Sequence, residues 1–438
     1  MTLRPLAESL LAARSAPDVV NLHLTDTLAA FLVGASIAEG KALAPSDDGS
    51  SDRAKRTAAA AAIARLSECD DIHLASCVTP GAVVIPVALA FAGPARVDAF
   101  NSAVSAGYAA GLRLGAAIGG ARALAFGTWP TLLAAPLMAA VTASVSRGFD
   151  ADRLAHAMAL ALAGASGHIA RSGPSSGRWP LLAGAVLKGL RACEAAAQGR
   201  LGDVSLLSHP WLAAAAGHDD VGIAALDASV PGPSISDVGF KPFPVARQAA
   251  NAVLAFQRLL HAGLDPNRID AVEVFVPTMN VSLLNRPAMD DDRLSRLCNM
   301  GYQLGCVALS PGMLEDAGRT PKPDIPLTDF ARRVTVKPSP DLDAHFPTRW
   351  AARVVAVLGR DRFEETVIAT PFDHDASDLD RALHEKWRRL LSAEDARALF
   401  QVAGMNRPDA VWQMIEQHVS MLRDQKREPN AGGSNVEG

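Results

Sequence analysis

Cysteine is scarce in this chain and badly spaced for metal or disulfide chemistry. There are five (Cys69, Cys77, Cys193, Cys298 and Cys306), an odd number, with no C-x-x-C. Reduced thiols in a cytosolic protein are the simplest reading, and cytoplasmic is the expected location. Basic residues are not in excess: net charge is −4 and the pI about 6.3, which argues against a nucleic-acid or anionic-membrane partner. Aromatics are 5 % of residues, and no internal repeat is present. The first residues carry charges inside their apolar stretch and lack signal-peptide order. The longest uncharged segment, 123–146, is interrupted by Pro130 and Pro136, so it reads as a buried helix pair and not as a membrane span.

What is present is apolar bulk. Hydrophobic residues are 49 % of 438, mostly Ala, Leu and Val, a composition suited to closely packed helices in two or three domains. Helical spacing runs through 20–35 (with Asp26 opposite the apolar face), 51–66, 95–114, 132–146, 151–165 and 181–198. A Gly/Ser/Pro-rich loop covers 167–177. The character changes near Pro231: 234–244 reads as a linker, 248–261 as a helix, and 269–276 (IDAVEVFV) alternates like a half-buried strand. Further strands are expected at 332–337, 353–358 and 363–369, then helices at 379–391 and 393–401. The fold class is mainly α with an α+β lid. The expected boundaries are 1–236 plus 372–425 for an all-helical domain built from both chain ends, 237–371 for an inserted α+β domain, and 426–438 for a disordered tail.

One stretch, ECDDIHLASCVTPGAVVIP at 68–86, places Glu68, Asp70, Asp71 and His73 just before an apolar segment that enters a core. Acid groups at the mouth of a buried element are where pKa values are perturbed. The same cluster also fits a helix start, with Asp70 or Asp71 accepting from backbone N–H groups.

Several motifs occur in a familiar order. They are TDTLAAFLVGA at 25–35, DDIHLAS at 70–76 followed by TPGAVVIP at 79–86, and GTWPT at 127–131. Residues 178–189, GFKPFP at 239–244, 293–309 and 346–371 complete the set. In this order the chain resembles the MmgE/PrpD family of 2-methylcitrate dehydratases, cis-aconitate decarboxylases and iminodisuccinate epimerases. The resemblance implies a helical domain with a late-inserted α+β lid, a homodimer, a small organic acid as substrate, and no metal or organic cofactor.

The resemblance places Glu68, His73, Thr79 and Lys241 at catalytic positions, and Asp70, Asp71, Trp129, Arg178 and Arg247 at substrate-binding ones. Glu68 stands for an aspartate, Ile72 for a threonine, Thr79 and Trp129 for histidines, Arg178 for a lysine and Ala246 for a further histidine. Lys241 matches directly. The implied reaction starts at a carbon beside a carboxylate, so it needs cations to hold that carboxylate and one group that titrates near neutrality. The cations persist in Arg178, Lys241 and either Arg247 or Arg171, whereas of eleven histidines only His73 lies on a matched motif, with His168 as a second candidate. Trp129 in place of an imidazole fills space and favours a smaller, less charged acid; it fits equally a plugged pocket. Tyr302 also matches a family tyrosine, with core packing as its expected role. Two readings follow: a divergent lyase or isomerase acting on a small organic acid, or a catalytically inactive paralogue that binds a ligand or partner through the same fold.

Overall fold

The computed structural model describes residues 2–45, 52–91, 97–169, 177–288, 292–319, 325–404 and 407–427. One apolar core gathers side chains from Leu3 to Phe240, and the helices Leu379–Leu390, Ala393–Gly404 and Pro408–Arg427 add to it from the far end of the chain. A second core runs from Phe243 to Val367. It is built on a four-stranded sheet in the order β4-β3-β5-β6, made of β3 (Ala271–Val276), β4 (Val334–Pro338), β5 (Ala352–Leu358) and β6 (Asp361–Val367). The two short strands β1 (Asp71–Ile72) and β2 (Gly239–Phe240) form a separate antiparallel pair.

The alternation of β3 does what its pattern implies: Val272, Val274 and Val276 are buried and the residues between them are not. β3 runs parallel to β4, with Val272 opposite Val334, and antiparallel to β5, with Val274 opposite Val354. β5 and β6 form a hairpin whose turn begins at Gly359, at a φ of 60°.

Three expectations are corrected. Asp26 does not face away from the core. The helix Pro17–Ser36 is buried on most of its surface, and Asp26 Oδ1 accepts from Lys386 Nζ at 2.6 Å and from Trp387 Nε1 at 2.9 Å. That helix is long and apolar enough to cross a membrane by length and composition, and here it packs inside the first core. Residues 234–244 are not a loose linker: residues 238–244 are buried, and β2 pairs with β1. The helix Pro408–Arg427 extends past the expected start of the tail at 426, while 428–438 lie outside the described residues.

The Asp26–Lys386 pair ties the C-terminal segment to an N-terminal helix, and both side chains are buried. Lys386→Met leaves a carboxylate buried with no cation, a change that costs about 3–5 kcal/mol where such pairs are broken. Urea denaturation should show that loss, and the double variant Asp26→Asn/Lys386→Met should recover most of it. A single variant within about 1 kcal/mol of wild type would contradict the pair's role.

Candidate functional site

The helix Arg53–Leu66 ends in an alanine-rich turn that delivers Arg65, and the chain then reverses. At the reversal Glu68 adopts a φ of 57°, a left-handed backbone that costs a non-glycine residue about 1–2 kcal/mol. Other elements hold this turn through its carbonyls. Arg293 donates to Leu66 O (2.7 Å), Val245 N–H to Glu68 O (3.1 Å), and Lys386 Nζ to Cys69 O (2.6 Å).

The side chains of the turn meet two cations. Lys241 Nζ donates to Glu68 Oε2 at 2.8 Å and to Asp70 Oδ1 at 2.7 Å. Arg65 pairs with the same two groups, at 2.9 and 3.5 Å. All four residues are buried. Burial alone raises the Glu68 carboxyl, but Arg65 and Lys241 outweigh it and hold it at about 2. For Asp70 burial wins over the same cations, helped by the Glu68 charge, and its carboxyl is pushed up.

Glu68, Lys241 and Arg65 line a chamber of about 60 Å³ together with Thr79, Thr131, Trp129, Arg178, Arg247 and Gln248. Its remaining wall is apolar and includes Ile72, Leu124, Ile169, Ala246, Leu283 and Leu294. Trp129 caps the start of the helix Pro130–Ser146, with Arg178 and Arg65 over its ring at 5.1 and 5.4 Å. Trp179 meets it edge-on at 6.2 Å. Thr79 N–H donates to Thr131 Oγ1 at 3.1 Å, and the two hydroxyl oxygens lie 3.1 Å apart, so the partner of Thr79 is a hydroxyl and not a base. Arg247 spends its guanidinium on Asn251 Oδ1 (2.6 Å) and Asp373 Oδ1 (2.9 Å).

Five of the nine expected site residues, Glu68, Thr79, Trp129, Arg178 and Lys241, line this chamber together. Arg247 reaches its wall with its charge committed elsewhere. The others need correction. Asp70 lies behind Lys241 and lines neither this chamber nor the larger cleft described below. Asp71 is sealed in the helical body: its Oδ2 lies 2.9 Å from His23 Nδ1 and accepts from the Tyr108 hydroxyl at 2.6 Å, while Oδ1 accepts from Gly81 N–H at 2.9 Å. This last bond is the helix-start contact that the local pattern allows. It needs glycine at 81, because a Cβ there would come within 2.7 Å of Asp71 Oδ2 and 2.8 Å of the Tyr108 hydroxyl.

His73 opens onto a different space. It lines a cleft of about 680 Å³ with Asp237, Arg349, Asp373 and His374, and only Ile72 and Arg247 are shared with the inner chamber. Its Nδ1 accepts from Ser76 N–H at 3.2 Å, which leaves the proton of the neutral ring on Nε2. His168 is exposed and forms a bridge with Thr128; it lines neither space. Tyr302 packs in the second core. Arg171 lies outside the described residues.

Sequence reasoning missed Arg65, Thr131, His23 and Lys386. Arg65 had a signal, as a lone cation at the end of an alanine run three residues before Glu68. Lys386 had none, since it sits in a helix rich in charge, 360 residues from Asp26. Among the described residues no cluster of His, Cys, Asp or Glu could hold a metal ion.

Two family models match the chain. The MmgE/PrpD N-terminal domain covers residues 19–222 and the MmgE/PrpD C-terminal domain covers 243–402. No curated protein matches it.

Burial pushes the His73 imidazole down to about 4, against the pull of Asp237 and with a further push from His374. The folded value lies below the unfolded one of about 6.5, so its contribution is present above about pH 6.5 and is lost as pH falls toward about 4. The full span corresponds to about 3 kcal/mol. His73→Asn should lose that much less stability than wild type between about pH 7 and pH 4, read from urea midpoints. Parallel pH curves would mean that His73 is not held neutral.

Proposed function

The chain belongs to the MmgE/PrpD family, and on that premise we propose that it is a lyase of the dehydratase type acting on a small organic acid, with Lys241 as the proton-transferring group. Membership of the family is consistent with lyase chemistry. The observation that supports the finer reading is the place of Lys241, buried, on the chamber wall, and bonded to both Glu68 and Asp70.

Arg178 and Arg65 at the indole wall hold the substrate carboxylate, where charge-assisted bonds are strong. A base must then take a proton from the adjacent carbon. Glu68, held at about 2, is too weak at neutral pH, and His73 lies in the other cleft. Lys241 can pass one proton across the 2.7 Å contact to Asp70, whose carboxyl burial has already raised. The neutral amine left in the chamber takes the substrate proton. The electron pair of the broken C–H bond, stabilised on the carboxylate by the guanidiniums, forms the double bond as hydroxide leaves from the next carbon. The ammonium of Lys241 protonates that hydroxide to water, and Asp70 returns its proton when the site resets. Glu68 stays ionised throughout and balances Arg65.

A second reading, a carboxylate-binding protein without catalysis, is favoured by the lack of any imidazole among the described residues that line the chamber and by the hydroxyl partner of Thr79. Hydrogen–deuterium exchange separates the two. Candidate acids, from two-carbon acids up to 2-methylcitrate, are incubated with the protein in D2O, and the proton beside the carboxylate is followed by NMR. Wild type should exchange at least one of them, and Lys241→Met should slow that exchange by about 100-fold or more. An acid that binds and never exchanges supports the non-catalytic reading.

A further inference from the structure

We infer that the inner chamber takes a small carboxylate of about three carbons and that Trp129 sets this limit, an inference that rests on the carboxylate-binding site just proposed. The chamber holds about 60 Å³. A single water needs about 10–15 Å³ on the same scale, so the space suits about four to six non-hydrogen atoms. A tricarboxylic acid does not fit within these walls.

The lining explains why the ligand is an acid. Arg65, Arg178, Lys241 and Glu68 all line the chamber. The Nε–H of Arg65, in a residue only 6 % exposed, has no hydrogen-bond partner among the described residues. A buried donor left unmade is costly, and a carboxylate oxygen would satisfy it. Ile72, Leu124, Ile169 and Leu283 also line it, and these suit the carbons of a short chain.

Trp129 is placed to set the size. Its backbone N–H donates to Gly167 O at 2.8 Å, and its carbonyl accepts from Leu133 N–H at 3.1 Å. Its ring is gripped by Arg65 and Arg178 and abutted by Trp179. An indole held in this way does not swing aside for a larger guest.

The test is calorimetric titration of the full-length protein with acetate, propionate, tricarballylate and citrate. Wild type should bind acetate and propionate at least tenfold more tightly than citrate. Trp129→His, with a smaller ring, should bind tricarballylate at least tenfold more tightly than wild type does. Circular dichroism checks that it is folded; if it is not, Trp129→Phe replaces it, and a four-carbon monocarboxylate replaces tricarballylate as the larger guest. Wild type that binds citrate as tightly as acetate overturns the size limit and leaves the carboxylate site standing. A folded variant with an unmoved size limit removes Trp129 from the role. Wild type that binds none of these acids overturns the carboxylate site itself, and this inference with it.

Discussion

A lysine ammonium shared by two carboxylates inside the protein is the contact on which the rest of the site depends. Taking Lys241, Arg65, Glu68 and Asp70 out of water costs several kcal/mol per ion, and only close mutual pairing offsets it. Pairing of that quality requires the turn at residues 66–71 to be held rigidly. The structure does this from several directions: Lys386 and Arg293 grip carbonyls, β2 pairs with β1, and His23, Tyr108 and Gly81 fix Asp71. The strained backbone at Glu68 persists because these contacts over-determine it.

The same cluster splits the behaviour of two neighbouring acids. Glu68 faces both cations and stays ionised; Asp70, deeper and beside the Glu68 charge, is pushed toward its protonated form. Two carboxylates driven apart in this way are the usual sign of divided roles. Here one is a fixed charge and the other a place to store a proton, and Lys241, bonded to both, lines the chamber beside Glu68. Size is controlled separately by the Trp129 wall, so charge and volume are set by different elements, one on the turn after Leu66 and one at the start of the helix Pro130–Ser146.

Local pattern carried the fold class far. The alternation of IDAVEVFV and the helical spacing over residues 20–35 each became the element expected. The resemblance to the MmgE/PrpD family also singled out Glu68, Thr79, Trp129, Arg178 and Lys241, which share one chamber. What was illegible depends on partners distant in sequence. Asp26 looks like a solvent-facing acid until Lys386 arrives from 360 residues away. The proline-rich 234–244 segment reads as a linker because nothing local announces its pairing with β1. His73 sits on a motif one residue from Ile72, yet it lines only the outer cleft, whereas Ile72 borders both spaces. Arg65 is the exception, a missed residue that its spacing to Glu68 could have revealed.

The claim at the centre of this account is that Glu68 and Asp70, two residues apart, are driven in opposite directions: a buried pair of cations holds Glu68 down, while burial and the Glu68 charge push Asp70 up against the same cations. Titration of carboxyl-labelled protein by NMR reads this directly. The account predicts that Glu68 stays ionised down to about pH 2 while Asp70 takes up its proton above the ordinary aspartate range. Both carboxyls titrating together near their ordinary values would contradict it.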